Sequence, residues 1–325
     1  MKRREFMQAA AAASLAAYAG TAARAQAWPD KPVRLIVAQP AGSGPDAIAR
    51  MVGEQLSQRW KQAVVVDNKP GGQNAIGAQA AARSAPDGYN FYFATSAALV
   101  TNPYLFKSLP YDPQKDFTPV GMIGRVPFVL AVNTASPAKT LQEFIAEAKA
   151  NPGKVTIANE GPKTFGGMMT RLFGSQAGLQ VNSVPYVSIG AAVTQTVGGQ
   201  TEAVMGDVPA LIQMIKAGRL RPIAVTTARP VAGLETVPSL AEVVPGFDYA
   251  GFMAIVAPAG TPAAAIQRFN RDLDAVLSDK EMAAKLLAVG PMTEGAGAPE
   301  QMAAFLQAEH TRWGKLTKDI GILPE

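Results

Sequence analysis

The sequence predicts an α/β protein built as two halves, each a mainly parallel sheet flanked by helices. Three observations carry this. Short runs rich in Val, Ile and Leu alternate with amphipathic stretches. Turns rich in Gly and Pro separate them. One pattern, a strand, a Gly/Pro turn, a helix and a strand, occurs at 33–67 and again at 155–186. The repeat is one of pattern, not of identical residues.

The elements follow in order. The run at 33–38 reads as a buried parallel strand. A helix over 45–60 places Ile48, Met51, Val52, Leu56 and Trp60 at helical spacing. A strand at 63–67, a turn-rich loop at 68–74, a helix at 77–84 and a strand at 89–95 complete the first unit. Two Pro-punctuated stretches, at 102–105 and 109–113, read as connections, and 128–132 as a strand. The second unit has a helix at 141–150, a strand at 155–158, a turn at 159–165, a helix at 166–177 and a strand at 182–186. A third runs helix 191–197, strand 202–205, helix 209–217 and strand 222–226. After a strand at 252–257, Thr261 as N-cap and Pro262 at the first position open a helix. The remainder is helical, with Ile266, Phe269, Leu273 and Leu277, then Met302, Phe305, Leu306, Trp313 and Leu316, as core stripes.

Composition narrows the function. The chain has 325 residues, 48% hydrophobic and 17% charged, as in globular proteins. Lys2, Arg3, Arg4 and Arg24 against Glu5 carry three of the +5 net charges, which leaves about +2 on the rest. No basic run with interleaved aromatics occurs, so nucleic acid is not expected as a partner. The absence of cysteine excludes disulfides, thiolate metal sites and cysteine nucleophiles. The single histidine, His310, reads as solvated on a surface helix. No catalytic residue, metal or cofactor is therefore expected.

The N-terminus reads as an export signal. Residues 1–7 are basic, 8–21 are Ala-rich and apolar, and Ala23-Arg-Ala25 fits an A-x-A cleavage site, with Ala25-Gln-Ala27 as the alternative. Arg3-Arg4-x-Phe6 resembles a twin-arginine signal. The general secretory route is the alternative. The mature chain is expected to be periplasmic and soluble.

In α/β sheets ligands bind outside the C-terminal strand ends. The turn at 38–50 sits there, and its unpaired N–H groups at a helix start favour an anion. Two readings compete. Gly42-x-Gly44-x-x-Ala47, with Asp67 ending the second strand, fits a dinucleotide fingerprint. The other reading is a small-carboxylate site. Export weakens the first, because an exported protein meets little dinucleotide. If the two halves face each other, two helix starts pinch one anion in a hinge-closing protein.

Motifs along the mature chain sharpen this. They are Trp-Pro-x-Lys-Pro-Val-Arg-Leu-Ile-Val at 28–37, Pro-x-Gly-x-Gly-x-Asp-x-Ile-Ala-Arg at 40–50 and Val-Asp-Asn-Lys-Pro-Gly-Gly at 66–72. Ala-Pro-Asp-Gly-Tyr at 85–89, Leu-Pro-Tyr-Asp-Pro-x-Lys-Asp-Phe at 109–117 and Val-Pro-Tyr at 184–186 follow. Ile-Lys-Ala-Gly-Arg-Leu-Arg-Pro-Ile-Ala-Val-Thr at 215–226 and Ala-Pro-Ala-Gly-Thr-Pro at 257–262 complete the set. The chain resembles the periplasmic solute receptors of tripartite tricarboxylate transporters, the Bug family.

The resemblance implies a two-lobed, type II Venus flytrap fold, with lobe one at 26–131 plus 250–325 and lobe two at 132–249. It implies a monomer that closes on a small carboxylate and delivers it to a small and a large membrane subunit. A receptor signalling to a membrane sensor is the alternative, and a nucleotide-dependent enzyme using the Gly42 turn is a third reading. By the same resemblance the ligand-binding residues are Gly42, Ser43, Gly44 and Asp46 in the first turn and Thr95 and Ser96 at another lobe-one strand end. Asn159, Gly161, Thr164, Phe165 and Asp207 are their counterparts in lobe two. Asp46 is expected to organise its turn, and Ser43 with Asp46 also fits a capping box. Asp207 also fits an N-cap. Pro45 stands where the family usually has Thr, and Glu160 and Phe165 depart from a small polar turn followed by His. These departures favour an aromatic or otherwise apolar-bodied monocarboxylate over citrate.

Overall fold

The computed structural model describes residues 28–324. The expected export signal, 1–25, lies outside them. The strands are β1 (Val33–Val37), β2 (Val64–Asn68), β3 (Asn90–Thr95), β4 (Phe117–Asn133), β5 (Thr156–Asn159), β6 (Asn182–Pro185), β7 (Ala203–Asp207), β8 (Leu220–Val225) and β9 (Ala250–Pro258). The helices are α1 (Gly44–Trp60), α2 (Ala75–Ala82), α3 (Asn102–Leu105), α4 (Leu141–Ala150), α5 (Phe165–Gln176), α6 (Ile189–Val197), α7 (Val208–Lys216), α8 (Ala263–Leu277), α9 (Lys280–Val289) and α10 (Pro299–Asp319).

Each lobe is built on a parallel triplet, β2-β1-β3 in one and β6-β5-β7 in the other. Antiparallel strands complete both: β9 and the first part of β4 in lobe one, the rest of β4 and β8 in lobe two. β4 is the strand the sequence read only in part. Its pairing runs from Phe117 to Pro127 against β9, then from Phe128 to Asn133 against β7 and β8. The change of sheet thus falls ahead of the crossing expected near 131. Pro119, Pro127, Gly121 and Gly124 hid the strand, because such residues weaken a ladder. Two register shifts, between Pro119 and Gly121 and between Met122 and Gly124, absorb three of them. A Cβ on Gly124 would stand 2.7 Å from the Met292 carbonyl, so the glycine admits a neighbouring segment that bridges to Arg125.

The helices pack as their apolar stripes predict. In lobe one, Trp60 of α1 packs edge-on to Phe269 of α8 at 5.2 Å, and its indole N–H donates to Asp272 at 2.7 Å. This ties the C-terminal part of the chain to the first helix. Thr261 is not the cap expected for α8. Its hydroxyl donates to the Pro258 carbonyl, and Pro262 stands at the N-cap.

A core of buried residues runs continuously through both lobes and includes Tyr92, Phe128, Phe173 and Trp313. Helix α10 supplies much of that continuity. It touches lobe one through Tyr104, whose hydroxyl donates to the His310 carbonyl at 2.6 Å. It reaches lobe two through Arg171, which donates to the Ile320 carbonyl at 2.9 Å. Its Trp313 is fully buried, worth about 2–3 kcal/mol of apolar burial. His310 is consequently buried, not solvated, and burial lowers its pKa. The sequence reading missed this because α10 is covered on two sides.

Candidate functional site

A cavity of about 240 Å³ opens between the lobes at the C-terminal strand ends. That is below the roughly 300–1,000 Å³ of sites for drug-sized ligands and suits a small organic acid. Lobe one contributes Gln73, Asn74, Ser96, Ala97 and Thr101, and lobe two contributes Lys163, Thr164, Phe165 and Met168. A larger groove of about 490 Å³ lies beside Met122, Arg125, Thr227 and Met292, where β4 changes sheet, and no predicted site residue lines it.

Lobe one presents an unusual backbone. Gly71, Gly72, Gln73 and Asn74 all have positive φ, at 122°, 56°, 49° and 76°. Two glycines and an asparagine tolerate this region, whereas Gln73 is strained there. Neighbours hold the loop in place. Asn74 donates to Thr95 Oγ1 at 3.1 Å and accepts from Gln39 at 3.0 Å, and Asn102 donates to the Gln73 carbonyl at 2.9 Å. Asn74 precedes α2 without a side-chain cap, and the loop itself takes up the first amides of the helix, Ala75 N donating to the Gly72 carbonyl and Ile76 N to the Gly71 carbonyl. A π-helical turn over Ala97–Thr101 forms the rest of this wall through Ala97 and Thr101.

Lobe two presents the start of α5. Thr164 is its N-cap, accepting from Gly167 N at 3.2 Å and donating to the Gly161 carbonyl at 2.7 Å. Phe165 lines the cavity with its ring braced by Phe128 at 4.7 Å and Trp313 at 5.7 Å. The Lys163 ammonium lies 5.3 Å from the centre of the Phe106 ring, across the cleft in lobe one. Burial pushes the carboxyls of Glu160 and Asp207 above their ordinary range.

Ser96, Thr164 and Phe165 thus meet at one cavity, and Thr95 lies one hydrogen bond behind it, on Asn74. Asn159 and Gly161 form the support of the lobe-two turn. Asn159 is fully buried, accepts from Gly161 N at 3.0 Å and donates to Ser183 at 2.8 Å. Asp207 caps α7 by accepting from Ala210 N. Gly42, Ser43, Gly44 and Asp46 do not line the cavity. Their turn is closed internally. Ser43 Oγ donates to the Pro40 carbonyl, so the capping box does not form. Asp46 is buried and accepts from Gly42 N at 2.8 Å, Asn68 at 2.8 Å and Arg50 at 3.0 Å. The Arg50 guanidinium is the main reason its pKa falls to about 2. Asp67, the acid of the dinucleotide reading, is paired with Arg34 and Lys69.

Sequence reasoning did not select Gln73, Asn74, Ala97, Thr101 or Met168. The one available signal was the Pro-Gly-Gly-Gln-Asn run at 70–74, which reads first as a turn. Among the described residues no group of three or more His, Asp or Glu is placed to hold a metal. No helix among them is long and apolar enough to cross a membrane.

Two α/β lobes joined by exchanging strands, with a cleft at their strand ends, define a solute-binding protein of the two-lobed type. Comparison with known proteins supplies the family. The chain belongs to the tripartite tricarboxylate transporter family receptors (TctC), which match residues 48–322. It is 36% identical over 303 residues to a UPF0065 protein of Bordetella bronchiseptica, covering 93% of this chain and 90% of that one. It is 33% identical over 309 residues to protein BugT of Bordetella pertussis, covering 94% of each. Among solved structures, R. palustris Rpa4515 with adipate has a TM-score of 0.81 at 32% identity, over 92% of this chain and 100% of that one. Periplasmic binding protein BugD has a TM-score of 0.76 at 26% identity, over 92% and 100%.

Proposed function

We propose that this receptor captures one small organic acid in the cleft between Asn74 and Phe165 and releases it, unchanged, to the large and small membrane subunits of a tripartite transporter. The carrying observation is the cavity lined from both lobes, with Gln73, Asn74, Ser96 and Thr101 on one side and Lys163, Thr164, Phe165 and Met168 on the other. Asn74, Ser96 and Thr101 from lobe one, with Lys163 and Thr164 from lobe two, suit a carboxylate. Phe165 and Met168 suit an apolar body. Binding to both lobes favours the closed form by its differential contacts, so the ligand shifts a population instead of reshaping one lobe. The relative solved with adipate, an acid with an apolar body, supports this class of ligand. We assign Ser96, Thr164 and Phe165 to direct contact, and Asn159, Gly161 and Asp207 to holding the lobe-two turn.

Native mass spectrometry of the purified protein, followed by calorimetry with aromatic and aliphatic mono- and dicarboxylates and citrate, tests the reading. A bound acid, or an added acid that raises the melting temperature, is expected. Ligand at about 100 times its Kd adds about 2.7 kcal/mol of apparent stability. Binding of citrate with no binding of apolar-bodied acids overturns the ligand class. Retained NAD(P) absorbance restores the nucleotide reading.

A further inference from the structure

Among the described residues that line the cavity, Lys163 carries the one formal charge. It stands in the turn that follows β5, directly before Thr164, the N-cap of α5. That turn is held at its base. Thr164 N donates to the Gly161 carbonyl at 3.2 Å, and Gly161 N donates to Asn159 Oδ1 at 3.0 Å. The Lys163 backbone is therefore fixed, while its side chain crosses the cleft and brings the ammonium to 5.3 Å from the centre of the Phe106 ring in lobe one.

Phe106 is a fixed platform. Its N–H donates to the Asn102 carbonyl at 3.1 Å at the end of α3, and its side chain packs on the core shared by both lobes. A ring face attracts a cation only modestly, by about two- to fivefold at a half-exposed site. A charge-assisted hydrogen bond to a carboxylate is worth roughly ten- to a hundredfold. The ring thus keeps the ammonium in the cleft without holding it back from a carboxylate. Other charges near the strand ends lie elsewhere. Arg34 and Lys69 pair with Asp67, and Arg50 pairs with Asp46, and none of these lines the cavity. Glu160 places Oε1 on Gly166 N and does not line it either. The remaining polar groups of the cavity, on Gln73, Asn74, Ser96, Thr101 and Thr164, are neutral and can hydrogen-bond an acid or an amide alike.

We propose that Lys163 is the specificity-determining residue of this site: its ammonium, reaching across the cleft from lobe two, selects a carboxylate over a neutral group of the same shape. The proposal rests on the carboxylate reading above.

The test measures Kd by calorimetry for three pairs, hexanoate with hexanamide, benzoate with benzamide and adipate with adipamide, on the wild type, Lys163→Met and Lys163→Arg. Methionine keeps an unbranched stem and removes the charge, whereas arginine keeps the charge. The wild type is expected to bind at least one acid, and to prefer it to its amide by about tenfold or more. Lys163→Met should weaken that acid by about tenfold or more and leave the amide within about threefold, and Lys163→Arg should hold the acid within about fivefold. Acid and amide weakened together mark a structural role and overturn the proposal. So does an acid that Lys163→Met binds as tightly as the wild type does, or an amide that the wild type binds as tightly as its acid. A wild type that binds none of the three acids overturns the carboxylate reading itself, and this proposal with it.

Discussion

Gly167→Ala tests the lobe-two turn most sharply. A Cβ built on Gly167 stands 1.9 Å from the Gly161 carbonyl oxygen, 2.7 Å from its carbon and 3.1 Å from Asn159 Oδ1. The first two are backbone atoms and cannot rotate away. Gly161 is itself fixed at φ 128°, with its N–H on Asn159 and its carbonyl accepting from Thr164. Relieving the clash moves the 159–164 turn off α5. Overpacking of this kind costs about 1–3 kcal/mol. Loss of the Thr164 cap adds about 1 kcal/mol. A total of about 2–4 kcal/mol lowers Tm by roughly 3–6 °C in a chain of this size. Scanning calorimetry reads the shift, and ligand titration reads the loss of affinity as Thr164 and Phe165 are displaced. Gly44→Ala is the control, because a Cβ there meets nothing within 4 Å. It should stay within about 0.5 kcal/mol of the wild type. A Gly167→Ala protein that melts within about 1 °C of the wild type, or a Gly44→Ala protein that falls as far, refutes the reasoning.

Other residues give independent tests. Asp46 has its folded pKa lowered from 3.8 to about 2, so its stabilisation is present above about pH 4 and is lost as pH falls toward 2. With Arg50 half exposed, this amounts to about 1–2 kcal/mol, and urea melts should show a smaller loss over that interval in Asp46→Asn. Phe165→Ala removes ring contacts with Phe128 and Trp313 and should cost about 2–3 kcal/mol, most of it restored by Leu, in thermal melts. Asn74→Gly keeps the positive φ and loses two side-chain hydrogen bonds, about 1–2 kcal/mol, whereas Asn74→Ala should be about 1 kcal/mol worse by chemical denaturation.

The alternation of apolar runs and amphipathic helices was legible because each unit carries its own period and its own turn. Leu141–Ala150 needed only a Thr140 cap and an apolar stripe, both local. β4 was legible only at 128–132, since its other half is a strand by virtue of β9 and the 292–296 segment, not of its own residues. The lobe-two wall, Thr164 and Phe165, was legible because the turn and cap are contiguous in sequence. The lobe-one wall was not. It joins a loop at 73–74, a strand end at 95–97 and a π-helical turn reaching Thr101, and only pairing of β1 with β3 brings these together. His310 shows the same limit: its helix looks half exposed in sequence, and burial is decided by Tyr104 and the lobe-one wall.

Two turns that look alike in sequence place their acidic residues in different surroundings. Each follows a first strand, contains glycine, opens a helix and brings an acidic residue close by, Asp46 in one and Glu160 in the other. Asp46 is neutralised by Arg50 from the next turn of its helix. Glu160 has a second carboxyl, Asp207, on the adjoining strand, and burial acts on both in the same direction. On the carboxylate reading, Asn74, Ser96 and Thr101 of lobe one and Lys163 and Thr164 of lobe two offer the polar contacts. Lobe two then closes over the apolar remainder with Phe165 and Met168. Substitutions at Asn74 or Ser96 should accordingly weaken all carboxylates alike, while substitutions at Phe165 should reorder them by the size of the apolar body, a contrast that a panel of straight-chain acids read by calorimetry resolves directly.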